Sequence, residues 1–130
     1  MNMERYPDIE IYLAPLQIER LQEWLKAQIS ADLVAAGKRR WRGTGRSENG
    51  AQLPILLIET AADGFSSLWI DSPDSPWPRD VDLARAINQA LAIEVRCSLG
   101  GWQPGDAPDR FLHIDANGEE CVIEWPDSGI

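Results

Sequence analysis

The sequence predicts an α+β protein: an antiparallel sheet with two helices, in the ferredoxin-like order βαββαβ, plus a C-terminal β-hairpin. Three patterns predict it. Apolar and polar residues alternate over 8–13, as in a half-buried strand. Apolar residues recur at helical spacing over 15–29 and again over 78–91. Asn117-Gly118, the preferred pair for a type I′ turn, separates two apolar runs near the end of the chain.

In the first strand Ile9, Ile11 and Leu13 share one face and Glu10 and Tyr12 the other. Pro15 suits the first turn of a helix whose stripe is Ile18, Leu21, Leu25 and Ile29. Residues 30–51 are open to three readings. Residues 31–36 fit a helical turn capped by Ser30 and stopped by Gly37, Gly43 with Gly45 and Gly50 reads as loop, and a strand over 39–42 is the third. Ile55-Leu56-Leu57-Ile58 and Leu68-Trp69-Ile70 are apolar on both faces and flank the turn-like Ala61-Ala62-Asp63-Gly64, which makes them a hairpin. Pro78 or Asp80 opens the second helix, with Val81, Ala84, Ile87 and Leu91 as its stripe. A strand over 94–98 follows, with Val95 and Cys97 on one face. In the last hairpin a two-residue loop sets Ile114 opposite Cys121, Leu112 opposite Ile123 and Arg110 opposite Trp125. The same register opposes Asp115 and Glu120, a like-charge pair, so either the turn is longer or a cation sits nearby.

At 130 residues the chain fits one domain, 1–130, large enough to bury a core without staples. No apolar run approaches the length of a membrane span, and the first residues lack the pattern of a secretory signal. Two cysteines are too few for a disulfide framework, so the expectation is a cytoplasmic protein with free thiols. The net charge is −9, yet Lys38, Arg39, Arg40, Arg42 and Arg46 cluster, so the remainder carries about −14. An acidic body repels phosphate backbones, which disfavours nucleic acid and favours a basic partner.

The common catalytic signatures are absent: no glycine-rich phosphate loop, no Gly-x-Ser-x-Gly, no Cys-x-x-Cys, no His-Glu-x-x-His. His113 is the single histidine, which with Cys97 and Cys121 leaves few metal ligands, so neither a metal nor a cofactor is expected. His113 reads as a strand residue at the sheet surface, and both cysteines as small buried hydrophobes. Residues 115–120 superficially resemble a calcium loop but lack its spacing.

The candidate binding residues are aromatic and charged. Arg40 and Trp41 lie in the basic run, a mixture suited to phosphate, bases or an acidic protein surface; the simpler reading is a solvated loop. Trp77 and Trp102 fall in loops rich in proline, glycine and aspartate, with Asp74 and Asp106 beside them. If those loops meet, they form an aromatic-floored acidic pocket suited to a cation. The favoured reading is a non-enzymatic protein that holds a protein partner through surface charge and loop tryptophans. The alternative is a small-molecule site or enzyme at the Trp77 and Trp102 pocket. Of two covers for the apolar strands, the C-terminal hairpin is preferred to a second copy, so a monomer is favoured over a homodimer.

Overall fold

The computed structural model describes residues 5–99 and 110–125. The elements are β1 (Ile9–Ala14), α1 (Ile18–Ile29), β2 (Asp32–Ala35), β3 (Arg40–Arg46), β4 (Gln52–Ala62), β5 (Phe65–Ile70), α2 (Asp80–Leu91), β6 (Glu94–Ser98), β7 (Arg110–Ile114) and β8 (Glu120–Glu124). The eight strands form one antiparallel sheet ordered β2-β3-β4-β5-β1-β6-β7-β8, and the α+β class is as expected. The element order differs from βαββαβ, because four strands rather than two separate the helices. The added pair is the hairpin β2–β3.

That hairpin corrects the loop and helical-turn readings of residues 30–51. Ser30 adopts a left-handed conformation and ends α1: its N–H donates to Lys26 O, and that of Ala31 to Leu25 O. The chain then leaves directly into β2. Gly43 and Gly45 are strand residues placed where a neighbour comes close. A Cβ on Gly43 would lie 2.2 Å from the Asp32 carbonyl oxygen, and one on Gly45 would lie 2.8 Å from that of Ile29. Their composition signals a loop, but what they supply is close approach of backbone.

One face of the sheet carries both helices. Ile9, Ile11 and Leu13 of β1, Leu53, Ile55 and Leu57 of β4, and Leu68 and Ile70 of β5 pack there against Leu21, Leu25 and Ile29 of α1 and Leu83, Ile87 and Leu91 of α2. In α1 the buried Leu21, Leu25 and Ile29 belong to the predicted stripe, with Ile18 half-buried, although the helix begins at Ile18, three residues after Pro15. In α2, Ala84, Ile87 and Leu91 are buried as expected, whereas Val81 is half-buried and Leu83, outside the predicted stripe, is fully buried. Asn88 joins α2 to its surroundings by donating to the carbonyl oxygens of Ile93 and Asp115, at 2.9 and 2.7 Å.

The final hairpin is shifted by one residue from the predicted register. Ile114 faces Glu120, Leu112 faces Val122 and Phe111 faces Ile123. The loop is longer than two residues: Gly118 N–H donates to Asp115 O, Asp115 N–H donates to Glu119 O, and Gly118 takes a φ of 89°. The Asp115 carboxylate accepts from the amides of Asn117 and Glu119, so the turn itself satisfies the group that resembles a calcium ligand. A one-residue slip moves side chains to the opposite face. Leu112 and Ile114 therefore join the helix-side core, while Phe111, Ile123 and Trp125 belong to a second cluster with Tyr12, Ala62 and Phe65. Cys121 is exposed, contrary to expectation, and Cys97 is buried.

The hairpin continues the sheet beside β6 rather than folding back over its centre. Among the described residues, Trp125, directly after β8, crosses: its ring lies 5.0 Å from Tyr12 and 5.4 Å from Phe65, on strands three and four places away from β8. Among the described residues no helix is long and apolar enough to cross a membrane.

Candidate functional site

The face opposite the helices is the candidate site. Register aligns Val34 of β2, Arg42 of β3, Leu56 of β4, Trp69 of β5 and Glu10 of β1 in a single row. The next row holds Arg40, Ile58, Ser67 and Tyr12. Trp125 closes the Tyr12 end. Beyond that cover, Val34 is 63% exposed, and Leu56, Ile58 and Trp69 are half-buried. None of these four belongs to either hydrophobic cluster.

Charge divides this face. Arg40 and Arg42 are exposed on β3, and among the described residues neither forms an ion pair. On the other side, Trp69 Nε1 donates to Asp8 Oδ2 at 2.6 Å, and Glu10 lies in the Trp69 row. Burial, and then the nearby Asp8 carboxylate, hold the Glu10 carboxyl above its ordinary pKa. The face therefore runs from basic on β3, through apolar on β4 and β5, to acidic on β1.

The four predicted site residues that the structure describes, Arg40, Trp41, Asp74 and Trp77, are dispersed. Arg40 is on this face, but Trp41 points the other way, half-buried against the helix-side core, with its Nε1 donating to Glu59 Oε2 at 2.8 Å. Alternation along a strand separates neighbours that a loop could have brought together. Trp77 is 9% exposed and stacks on Trp24, ring centroids 5.1 Å apart, so it is part of the core. Trp102 and Asp106 lie outside the described residues. Asp74 is exposed and lines a cleft of about 670 Å³ with Arg5, Arg46, Glu48, Asn49 and Ser75. Two arginines balance two carboxylates there, so this cleft is not the acidic, aromatic pocket expected. Arg5 Nη1 donates to the carbonyl oxygens of Pro73 and Ser75, at 3.0 and 2.9 Å, and so holds the loop that forms one wall.

The remaining reactive groups have structural partners or burial. His113 Nδ1 accepts from Arg96 Nε at 2.9 Å, and the Arg96 guanidinium lies over the rings of Phe65 and Trp125, 4.3 and 4.6 Å from their centroids. Burial pushes the Cys97 thiol up to about 12, with the Asp80 carboxylate adding to the shift. Among the described residues no group of three or more His, Cys, Asp or Glu is arranged to hold a metal ion.

Sequence reasoning did not name Val34, Leu56, Ile58, Trp69 or Glu10 as a site. The signal for three of them was present: Leu56, Ile58 and Trp69 are apolar residues on the second face of strands whose first face already fills the core. Comparison of the chain with protein-family models, with curated proteins and with solved structures finds no match.

Proposed function

We propose that the chain is a non-enzymatic binding protein that holds a protein partner on the open face of its sheet. The observation that carries this reading is the row Val34, Arg42, Leu56, Trp69: apolar and aromatic side chains outside both clusters, beside arginines that have no ion-pair partner among the described residues. Apolar patches rimmed by charge mark interaction sites on soluble proteins, and tryptophan and arginine dominate interface hot spots. The net charge of −9 argues for a basic partner, but the local charge on β3 argues for carboxylates opposite Arg40 and Arg42. Local complementarity fixes the docked register, so it governs here. We also read β4-β5-β1-β6 as a ferredoxin-like unit with a hairpin added on each side. The small-molecule reading loses the support of Trp77, which is packed on Trp24.

Affinity capture from native extract, with the wild type and Leu56→Glu side by side, tests the proposal. A protein retained by the wild type and lost with the variant supports it. Identical retention by both, with both folded, overturns it.

A further inference from the structure

The partner of this face is given by its own symmetry. In the row Arg42, Leu56, Trp69, Glu10, the two charged residues stand one strand outside the two apolar ones, with opposite signs at the two ends. Adjacent strands are about 4.8 Å apart, so the midline between β4 and β5 lies roughly 7 Å from both β3 and β1. A two-fold axis along that midline carries Arg42 onto the position facing Glu10 and Leu56 onto the position facing Trp69. Resting on the reading of this face as a docking surface, we propose that its occupant is a second copy of the chain. The two sheets pack face to face, with Arg42 of each copy against Glu10 of the other and Leu56 against Trp69.

Such an interface is isologous: one patch serves both copies and the contact closes on itself. Sheets packed in this way keep their strands within about 30° of each other, so the row stays in register near the axis. Each contact across it is complementary. The Arg42 guanidinium lacks an ion-pair partner within its own chain among the described residues. Burial, and then the nearby Asp8 carboxylate, raise the Glu10 pKa, and a facing cation opposes that shift by favouring the carboxylate. An unrelated partner needs a matching acidic-to-basic gradient across an apolar strip of the same width; a second copy has it by construction. Trp125 sets the limit of the interface, because it already covers the Tyr12 end. Four strands present roughly 400 Å² of projected face per copy, below the roughly 600 Å² per partner of the smallest stable interfaces, so the dimer is weak and reversible, with a Kd in the micromolar range or above.

Sedimentation velocity from about 5 to about 500 µM, bracketing that range, reads the association. The expected result is a monomer–dimer equilibrium for the wild type, weakened in high salt. Arg42→Glu and Glu10→Arg should each weaken self-association by about tenfold or more, since each sets like charges against each other twice. An equimolar mixture of the two should regain the dimer, because every facing pair is then again of opposite sign. Thermal melts accompany each sample, and Arg42→Gln with Glu10→Gln replaces any reversal variant that fails to fold. A wild type that stays monomeric throughout overturns the proposal, as does a folded mixture that stays monomeric. If self-association fails but capture of another protein depends on Leu56, the docking face stands and only its occupant changes. If capture is also independent of Leu56, both readings fall.

Discussion

The indole N–H of Trp125 donates to the Asp63 carboxylate, tying the residue after β8 to the turn between β4 and β5. The same indole meets Tyr12, Phe65 and Phe111 edge-on and receives the Arg96 guanidinium on its ring. One residue thus joins side chains of four strands. Trp125→Ala should destabilise the protein by about 3–5 kcal/mol, the cost of an aromatic cavity in a core. Trp125→Phe keeps most of the packing and loses the hydrogen bond to a charged acceptor, at about 1.5–3 kcal/mol. Chemical denaturation of the three proteins gives the ranking, and equal midpoints would show that Trp125 is peripheral.

Gly43 and Gly45 offer a test of the β2–β3 hairpin. An added methyl at Gly43 meets the Asp32 carbonyl oxygen, which is backbone and cannot turn aside. Gly43→Ala should cost about 1–3 kcal/mol or more as an overpacked site. Gly50→Ala, by contrast, meets no steric obstacle and pays only for its positive φ of 87°. If Gly43→Ala melts like the wild type, residues 32–46 are not the strand pair described.

Asp80 gives a pH signature. Its carboxyl is pushed up to about 6, first by burial and then by the charges of Glu10 and Asp8, against the hydrogen bond it accepts from Glu10 N–H. The native state therefore holds this proton more tightly than the unfolded chain does. Its contribution is fully present below the unfolded pKa and is lost as pH rises through the native one, between about 4 and 6. Asp80→Asn keeps the acceptor and removes the charge. The variant should gain about 1–2 kcal/mol over the wild type at neutral pH and nothing in acid. Unfolding titrations at both ends of that window decide it; a gain that is the same at both ends would show that charge is not its source.

The two thiols should separate by reactivity. Cys121 is exposed on the edge strand β8, whereas Cys97 is buried and its thiol is pushed up to about 12. A colorimetric thiol reagent should count one fast group in the native protein and two after denaturation. Two fast groups in the native state would contradict the packing of β6 against α2.

The exposed arginines of β3 should matter little for stability. Replacing Arg40 and Arg42 with Gln should leave the melting temperature nearly unchanged, since exposed charges contribute little individually. A large loss would mean that these side chains have structural partners.

Both helices, β1, the β4–β5 hairpin and the α+β class were legible in the sequence, because each is written in a local period. Ile18, Leu21, Leu25 and Ile29 can share a face only on a helix, and Ile9, Ile11 and Leu13 only on a strand. The turn-like Ala61-Ala62-Asp63-Gly64 was legible in part: Asp63 and Gly64 take positive φ and make the turn, while Ala61 and Ala62 continue β4. Of the candidate site, Arg40 was named and the apolar excess on β4 and β5 was visible, but not what lay beside it.

The tertiary structure decided the rest. Gly43 and Gly45 carry the composition of a loop, and only the approach of Asp32 and Ile29 shows that a strand needs them. Asn117-Gly118 announces a turn but does not fix its length; the Asp115 carboxylate, capping two amides, lengthens the loop and shifts the register by one. That shift sends Trp125 to the open face, and Trp77 stacks on Trp24 from a segment that looks like surface loop. The physical reason is the same throughout. Period and turn chemistry act between residues a few places apart and can be read along the chain, whereas register, close approach and the neighbours of a ring depend on segments tens of residues away.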